Sequence, residues 1–454
     1  MEKPLRMSSY TIPVKLENED GKYMLIHGYT GAIDIVSEKL FHCMKLADAM
    51  DDLSEETMST LRKRGYITTK TKEEEHEYVS RMARALTKKG NMLYSDFTWM
   101  VTYNCNFRCP YCFEDRTKKD SKQKIVFTKD MVDAAYAVID KFHPLKLSIN
   151  KTMTLYGGEP LLAENKEIVS YIVEEGYKRG YSFVAVTNGF EVDNYVDLLS
   201  DKKIVKLQIT IDGLREVHDR RRIHYQRGST FDKIISNIQL ALSKGVKVNV
   251  RMNTSWSNKN QYNELKQYFK TKGFYDYNTF DFYCAMITDN NNIDDINRKD
   301  IKLMSPEDFS KIVKEKVDLF KLDDNTLYHN ISDAIVKKKP LHFRSVTCAS
   351  QTNGYVLDPL GHIYPCWEVV GNPKHLEGQY TKLGVTWNES VLSKWKDIDI
   401  SKRKECSNCK YALLCGGGCP YHYLEGKNIN CIIFRKLFSA IARKAYNSVN
   451  LKLK

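Results

Sequence analysis

The sequence predicts an α/β fold built around a mainly parallel sheet, with a small module before it and a cysteine-rich region after it. Between residues 95 and 325, strand-like apolar runs alternate six times with amphipathic helical patterns, which is typical of parallel βα units. Short strands and helices fill the first 90 residues, and cysteine density rises beyond residue 345. We therefore predict a module over 1–90, a central domain over 91–325, and a linker with a C-terminal domain over 326–454.

The N-terminal module shows hairpin and helix signals. Its three predicted strands cover residues 10–16, 22–27 and 31–36, and the turn-forming segment 18–21 separates the first two. Ser37 and Ser54 fit helix N-caps, and Gly65 fits a helix end. Residues 71–90 are charged and helical in pattern. This order of strands and helices predicts a winged-helix-like module.

The central domain contains the six strand patterns. The predicted strands are 97–102, 152–156, 183–187, 205–211, 246–253 and 280–286. The predicted helices between them include 130–142, 166–179, 231–244 and 261–272. Six parallel strands form either an open sheet or a partial barrel, and both place ligands at the carboxyl ends of the strands.

The amino-acid composition limits which cellular compartments and which classes of partner are compatible with the sequence. The 454 residues are 42% hydrophobic and include twelve cysteines, and no apolar run approaches the 18 or so residues of a membrane span. No signal-like apolar segment follows Met1, so we expect a cytoplasmic protein whose thiols bind metal, react or stay free rather than form disulfides. The formal net charge of +13 is compatible with nucleic acid, an anionic membrane or an acidic peptide.

Three cysteines follow the first strand of the central domain in a C-x3-C-x2-C spacing: Cys105, Cys109 and Cys112. Three thiolates at a strand end suit an iron–sulfur cluster that keeps one iron without a protein ligand. A three-cysteine zinc site is the alternative.

This motif, with Tyr111 before its last cysteine, resembles the hallmark of radical S-adenosylmethionine (SAM) enzymes. The resemblance continues at successive strand ends, in the segments YGGEP (156–160), VTNG (186–189) and TIDG (210–213). It implies a partial (β/α)6 barrel in which a [4Fe–4S] cluster on Cys105, Cys109 and Cys112 cleaves SAM to a 5′-deoxyadenosyl radical. These cysteines are therefore the predicted catalytic residues.

The resemblance also implies which residues bind SAM. Glycines let backbone carbonyls approach the SAM amino group, while hydroxyl and amide groups bond its ribose and carboxylate. Arg222 or Arg251 would pair with the carboxylate. Each residue also has an ordinary structural explanation, since a glycine pair forms turns and a strand-end threonine caps. The predicted set is Tyr111, Gly157, Gly158, Glu159, Thr187, Asn188, Thr210, Asp212, Arg222, Arg251 and Asn253.

Seven further cysteines lie in the C-terminal region, at spacings that resemble the SPASM domain, an extension holding two auxiliary [4Fe–4S] clusters. The resemblance assigns the first auxiliary cluster to Cys348, Cys366 and Cys419. It assigns the second to Cys406, Cys409, Cys415 and Cys431. Only three cysteines match the first cluster, so its fourth iron is open to substrate or to another ligand. Cys284 is the other nearby candidate, although a core-strand thiol is the better interpretation, and Cys43 fits packing.

SPASM-containing radical SAM enzymes mostly modify ribosomal peptides or proteins, and this sequence is most similar to maturases of the sactipeptide and ranthipeptide type, including the freyrasin kind. We therefore expect an oxidoreductase that forms cysteine thioether bonds in a precursor peptide. The alternatives are a C–C crosslinking or formylglycine-forming (sulfatase-maturing) enzyme, in which Asp212 acts as a base. A contrasting class is a non-catalytic iron–sulfur or zinc protein.

The expected cofactors are three [4Fe–4S] clusters and SAM, and the expected partners follow from them. They are a precursor peptide, whose leader segment the N-terminal module binds as an added strand, and a one-electron donor such as flavodoxin or ferredoxin. Ten thiolates and three cluster cores would lower the formal charge of +13 to about +9. We accordingly expect neither nucleic acid nor a membrane as partner.

Overall fold

The computed structural model describes residues 4–17, 19–114, 125–142, 151–288, 301–315 and 327–453, without the side chains of residues 47, 48 and 450–453. Residue 18 of the predicted turn, and the predicted boundary at residues 325 and 326, lie outside the described part. Within it, no helix is both long enough and apolar enough to cross a bilayer.

Fifteen strands are described, and they form three sheets. The strands are β1 (Arg6–Met7), β2 (Thr11–Lys15), β3 (Lys22–His27), β4 (Ile33–Ser37), β5 (Ile67–Thr68), β6 (Asp96–Met100), β7 (Thr152–Tyr156), β8 (Ser182–Thr187), β9 (Ile204–Thr210), β10 (Lys247–Thr254), β11 (Phe280–Met286), β12 (Gly354–Leu357), β13 (His362–Tyr364), β14 (Gly378–Thr381) and β15 (Gly384–Trp387).

Sixteen α-helices are described, and short 3₁₀ turns lie between several of them. The helices are α1 (Glu38–Cys43), α2 (Ala47–Met50), α3 (Glu55–Arg64), α4 (Lys72–Leu93), α5 (Lys129–Phe142), α6 (Lys166–Lys178), α7 (Arg215–Arg221), α8 (Phe231–Ser243), α9 (Gln261–Thr271), α10 (Pro306–Glu315), α11 (Leu327–Lys337), α12 (Glu389–Lys396), α13 (Lys404–Ser407), α14 (Ala412–Cys415), α15 (Pro420–Leu424) and α16 (Ile429–Leu453).

The N-terminal elements follow the predicted order. Strands β2, β3 and β4 form an antiparallel sheet in sequence order, and β1 pairs with β5. Ser37 caps α1 by accepting a hydrogen bond from the Leu40 amide, and Ser54 caps α3 by accepting one from the Thr57 amide. Helix α4 begins with a capping box between Thr71 and Glu74.

The six predicted parallel strands are present, as β6 to β11, and they lie side by side in sequence order. Because βα crossovers in a parallel sheet share one hand, this consecutive order places the connecting helices on one face. Apolar residues of the strands and of helices α5, α6, α8 and α9 form the main core, which includes Trp99, Ile139, Leu207 and Phe269. The opposite face is left for a ligand.

The C-terminal region extends this sheet, although the sequence indicated mainly turns there. Strand β12 pairs in parallel with the free edge of β6, and β13 to β15 continue the sheet in antiparallel order to ten strands. Leu357, Ile363 and Tyr380 join the main core. Local periodicity missed these strands because they are only three or four residues long.

A second core joins the two ends of the chain. Ile12 and Met24 of the N-terminal sheet pack with Phe309 of α10, Ile331 of α11 and Phe438 of α16. Helix α16 runs from Ile429 to Leu453. The N-terminal module is therefore packed against the last helix of the C-terminal region.

Two glycines after β7 let the chain pass against the segment that leads out of β6. A Cβ on Gly158 would lie 2.2 Å from the Asn104 carbonyl oxygen, and one on Gly157, whose φ is +144°, would lie 2.5 Å from that of Thr102. The close approach is held by hydrogen bonds from the Gly158 amide to Thr102 O (3.0 Å) and from the Glu159 amide to Asn104 O (2.8 Å). Only glycine fits at both positions.

We expect Gly158→Ala to destabilise the protein by about 1–3 kcal/mol, because the added methyl group overlaps backbone rather than a movable side chain. Gly90→Ala is the matched control, since Gly90 lies inside α4 and its Cβ would meet only Thr352 Cγ2, at 3.8 Å. That control should be neutral or stabilising by up to about 1 kcal/mol. Urea unfolding followed by circular dichroism measures both, and equal midpoints for the two variants would contradict the expectation.

Candidate functional site

The first three cysteines lie in a loop that leaves β6 and is held on both sides. Cys105, Cys109 and Cys112 are each partly exposed. Between them, Phe107 is buried in the main core, and the Arg108 amide donates a hydrogen bond to Ile223 O (2.7 Å). The loop is thus fixed to the chain that follows α7, while its thiols stay accessible.

Tyr111 lies at the centre of a polar network beside this loop. Its hydroxyl donates to a carboxylate oxygen of Asp212 and accepts hydrogen bonds from Arg222 Nη1 (3.1 Å) and Asn253 Nδ2 (3.4 Å). Burial and the neighbouring Asp212 charge raise the pKa of Tyr111 above its usual value, so the phenol stays protonated. The Arg221 guanidinium lies 5.3 Å from the Tyr111 ring centroid.

Asp212 is fully buried, and its carboxylate is bonded within the protein. Oδ1 accepts from the Asn253 amide (3.0 Å), and Oδ2 accepts from Arg221 Nε (3.4 Å) as well as from Tyr111. Asn258 Nδ2 donates to the Asp212 carbonyl (2.7 Å). A buried charge with this many partners holds the ends of β9 and β10 together, which favours structural support over a role as a base.

Glu159 forms a second buried network that links β7 to β8. Its carboxylate accepts hydrogen bonds from Thr187 Oγ1 (2.6 Å), the Asn188 amide (2.6 Å) and the Leu161 amide (2.9 Å). Burial raises its pKa to about 7, and these donors oppose that shift. Asn188 Nδ2 in turn donates to Asn106 Oδ1 (2.7 Å), inside the cysteine loop. The predicted SAM-binding groups of Glu159 and Thr187 are thus engaged with each other.

Two arginines carry buried N–H groups without a partner at this side of the sheet. Nε of Arg222 and Nε of Arg251 are buried and form no hydrogen bond with the described residues. Arg222 lies over the Phe107 ring, with 5.5 Å between the guanidinium carbon and the ring centroid. Arg251 is the register partner of Thr210 on the neighbouring strand. Unsatisfied guanidinium donors, one at the end of α7 and one within β10, fit an anionic carboxylate.

The structure thus brings together Tyr111, Asp212, Arg222 and Asn253 around one network, and Glu159, Thr187 and Asn188 around the other. Sequence reasoning missed three residues that complete them: Asn106, Arg221 and Asn258. Asn106 lies between the first two cysteines and Arg221 precedes Arg222, so their positions in the motifs were a usable signal. Nothing local marked Asn258.

The remaining cysteines of the predicted set form two groups in the C-terminal region. Cys366 and Cys419 pack against one small core that includes Val369 and Trp395, and burial raises the pKa of Cys366. Burial raises the pKa of Cys406 to about 12, and its neighbours Cys415, Cys409 and Cys431 add to the shift. The division of the seven cysteines into two ligand sets stays a prediction.

Short helices and turns position these thiols. Cys348 and Cys366 each precede a 3₁₀ turn, and Cys415 ends α14. Between Cys415 and Cys419, three successive glycines have φ of +72°, +87° and +74°, a path that residues with a side chain rarely follow. This reversal returns the chain from one cysteine group to the other.

The donor sets fit iron–sulfur clusters. Within the ranges that the structure describes, no three His, Cys, Asp or Glu side chains are placed to hold a single metal ion. The predicted sets contain three, three and four cysteines, which are numbers of thiolate ligands that [4Fe–4S] clusters take. Cationic groups lie beside the thiols, among them Arg435 Nη2 at 3.5 Å from Cys409 Sγ. Such charges favour thiolate and an anionic cluster.

The two cysteines outside the predicted ligand sets lie apart from these groups. Cys284 is buried in the main core on β11, and burial raises its pKa to about 12, which agrees with the interpretation as a core-strand thiol. Cys43 is half-buried at the end of α1.

Comparison with known proteins connects this geometry to a superfamily. Residues 99–255 match the family model of the Radical SAM superfamily. The cysteine-type anaerobic sulfatase-maturating enzyme of Clostridium novyi (strain NT) is 22% identical over 361 residues, which span 74% of this chain and 91% of that one. A GTP 3′,8-cyclase of Campylobacter fetus subsp. fetus is 30% identical over 179 residues, and the match spans 38% of this chain and about half (51%) of that relative.

Solved structures show the same fold. Native anSMEcpe with bound AdoMet superposes with a TM-score of 0.58 at 20% identity, over 79% of this chain and 99% of that one. Streptococcus suis SuiB bound to S-adenosylmethionine superposes with a TM-score of 0.50 at 13% identity, over 94% of this chain and 98% of that one. The solved structures show similarity of fold, and residues 99–255, which include the cysteine loop after β6 and the strand-end networks, are the part of the chain that matches the radical SAM superfamily.

Proposed function

We propose that this protein is a radical SAM peptide maturase that forms cysteine thioether bonds in a ribosomally made precursor peptide. The proposal is supported by the spacing of ten cysteines along the chain, three after β6 and seven in the C-terminal region, where Cys366 and Cys419 border one small core and Cys406 and Cys409 border another. One cluster is enough to cleave SAM, so the two further sets point to a chemistry that needs additional iron sites.

The radical SAM site would hold a [4Fe–4S] cluster on Cys105, Cys109 and Cys112, and with SAM bound it supplies a 5′-deoxyadenosyl radical that removes a hydrogen atom from the substrate. The free Nε–H groups of Arg222 and Arg251 bind the SAM carboxylate. Asp212 keeps the Tyr111 side chain in place beside the cluster. The buried networks on either side exclude water from the radical.

The first auxiliary set supports thioether formation. Cys348, Cys366 and Cys419 provide three thiolates, which leaves one iron of a cubane cluster for another ligand. A substrate cysteine bound there as thiolate is a suitable partner for a carbon radical formed on a nearby residue. The four cysteines of the second set complete an ordinary four-thiolate cluster.

The N-terminal module offers an edge for a leader peptide. Strand β4 is the outer strand of its sheet, and it lines a cavity of about 670 Å³ together with the end of α3 and the chain after α11. A peptide in extended form can add to such an edge through backbone hydrogen bonds. Lys63, Lys338 and Lys339 line the same cavity, which suits an acidic leader, whereas Arg64 is paired there with Asp34 (2.6 Å).

A basic surface near the second auxiliary set suits an acidic one-electron donor such as flavodoxin or ferredoxin. Residues 401–454 contain eleven Lys or Arg and two Glu. Arg435 and Lys436 of α16 are exposed, and Arg435 reaches Cys409. Charge complementarity would steer an acidic carrier to this side of the C-terminal region.

A second candidate is a formylglycine-forming activity, because the similarity to the sulfatase-maturating enzyme extends over 91% of that relative. That chemistry calls for a base at the substrate, and Asp212 was the residue considered for it. Its complete burial and its bonds to Tyr111, Arg221 and Asn253 weigh against that role. A C–C crosslinking activity uses the same radical and remains an outcome of the peptide experiment below.

Co-expression with a cysteine-containing peptide encoded beside the gene tests the choice of product. We expect the peptide to lose two hydrogens per bond and to resist thiol alkylation, because each thiol becomes a thioether. Tandem mass spectrometry of the alkylated peptide measures both. Retained free thiols with the same mass loss would indicate C–C bonds, and conversion of one cysteine to formylglycine would indicate the sulfatase-type activity.

Replacing Cys105, Cys109 and Cys112 together by Ala tests the radical site. The reconstituted wild type should hold about twelve irons per chain and the variant about eight, since one of three four-iron clusters is lost. Release of 5′-deoxyadenosine from SAM under reduction should stop. Cys43→Ala, at a cysteine outside the three sets, should change neither quantity. Zinc in place of iron in the wild type would refute the proposal.

Arg222→Lys tests the SAM carboxylate contact. A lysine cannot reproduce the guanidinium fork, so we expect SAM to bind about tenfold more weakly, which corresponds to about 1.4 kcal/mol. Equilibrium dialysis of the reconstituted protein with SAM measures this. Arg220→Lys is the control, because Arg220 is exposed on the same helix and should leave the affinity unchanged. An unchanged affinity in Arg222→Lys would assign the carboxylate contact elsewhere.

A further inference from the structure

We propose that Arg64 closes the outer edge of strand β4 in the free protein and that the leader peptide displaces it when the leader adds to this edge. The inference rests on the proposed function in one respect, namely that a precursor peptide presents an extended leader to the N-terminal module. It adds a residue that decides when the edge is open, and it specifies which leader sequence fits.

The pairing of β4 with β3 shows which backbone groups of β4 point away from the sheet. Ile33 lies opposite Ile26 in the register of the two strands. At the next position towards the turn, the His27 amide donates a hydrogen bond to Ala32 O (2.9 Å). Because bonded residues alternate along an antiparallel pair, Ile33 and Ile35 direct their N–H and C=O groups away from β3. These four groups form the outer edge of the sheet.

The chain itself closes both ends of this edge. Before Ile33, the Leu341 amide donates a hydrogen bond to Gly31 O (3.3 Å), and the Leu341 side chain is buried in the second core. After Ile35, the chain leaves the strand at Ser37, which is the N-cap of α1. An added strand can therefore pair only with Ile33 and Ile35.

Arg64 occupies one of the four outward groups. Its Nη2 donates a hydrogen bond to Ile33 O (2.9 Å), and its Nε donates one to Asp34 Oδ2 (2.6 Å). The outward N–H and C=O of Ile35 have no hydrogen-bond partner in the part of the chain that the structure describes. Charged side chains commonly protect exposed strands against unwanted pairing. With Arg64 in this position, an added strand would lose the bond to Ile33 O and would meet the guanidinium in its path.

Displacement of Arg64 requires little rearrangement. Its side chain is 39% exposed, so the guanidinium can turn into solvent. Asp34 keeps a second partner, because the Tyr66 hydroxyl donates to the same carboxylate oxygen (2.7 Å). In the exchange, a leader amide replaces Arg64 Nη2 as the donor to Ile33 O. The released N–H group is then available to a carboxylate of the leader.

The two sides of the edge define the leader that fits. Side chains alternate across a strand, so Ile33 and Ile35 point to one side and Asp34 points to the other. On the first side, Ile33 and Ile335 border the same apolar core. On the second side, Arg64 bonds the Asp34 carboxylate. We therefore expect a leader strand in which apolar residues facing the isoleucines alternate with acidic residues facing Arg64.

Arg64→Met tests the displacement, because methionine keeps an apolar stem but cannot donate to Ile33 O. The probe is the fluorescently labelled leader segment of the precursor peptide encoded beside the gene. It is titrated into the reconstituted protein in about 0.5 M NaCl, where exposed charges are screened. We expect Arg64→Met to bind about fivefold more tightly than the wild type, since no hydrogen bond has to break first. Lys63→Met, at the exposed neighbouring residue, is the control and should bind like the wild type at this salt concentration.

Hydrogen–deuterium exchange of the wild type gives a second measurement that does not depend on how the variant folds. The fragment containing residues 33–35 should exchange more slowly with the leader bound, because the amides of Ile33 and Ile35 gain acceptors. Equal or weaker binding by Arg64→Met, or unchanged exchange at residues 33–35, would overturn the inference. Both expected results together with a product that lacks thioethers would support it and would count against the proposed function alone.

Discussion

The close passage of the chain after β7 against the chain after β6 is the contact on which the site depends. Gly157 and Gly158 allow it, since a side chain at either position would overlap the carbonyl of Thr102 or Asn104. The passage places the Glu159 carboxylate where it binds the end of β8. Through Asn188 and Asn106 the same network reaches the cysteine loop. These two glycines resemble SAM-binding residues in sequence. In the structure, their lack of a side chain lets two backbone segments approach closely, and the geometry of the site depends on that approach.

The central domain and the C-terminal region share one sheet, so these two parts of the chain are held in a fixed relation. Strand β12 occupies the edge of β6, and Tyr103, two residues before Cys105, donates a hydrogen bond to the buried Asp358 after β12 (2.6 Å). Trp367 stacks on Tyr156, which packs in one buried cluster with Tyr103. These contacts join residues more than 200 positions apart, and they fix the C-terminal region against the first strands of the central domain.

The N-terminal module is equally fixed to the cysteine-rich region. A Cβ on Gly28 would lie 2.3 Å from the Lys410 carbonyl oxygen, which shows how closely the two backbones approach. Tyr10 and Tyr29 pack in one cluster with Leu413, and Cys406 and Cys409 border that cluster. A region with several short helices and little core of its own thereby gains apolar support from the module and from α4. Leader binding and the auxiliary cysteines would then be coupled through a rigid contact.

The sequence by itself determined the six βα units, the helix caps at Ser37 and Ser54, and the cysteine sets, because periodicity, capping and ligand spacing are local properties of the chain. It also indicated the strand-end residues, through resemblance to known motifs. Tertiary structure decided which of them remain free for a ligand: Asp212 and Glu159 are bonded within the protein, whereas Arg222 and Arg251 keep unpartnered N–H groups. It also decided that β12 to β15 extend the central sheet. Both outcomes depend on contacts between distant segments, and such contacts leave no local pattern in the sequence.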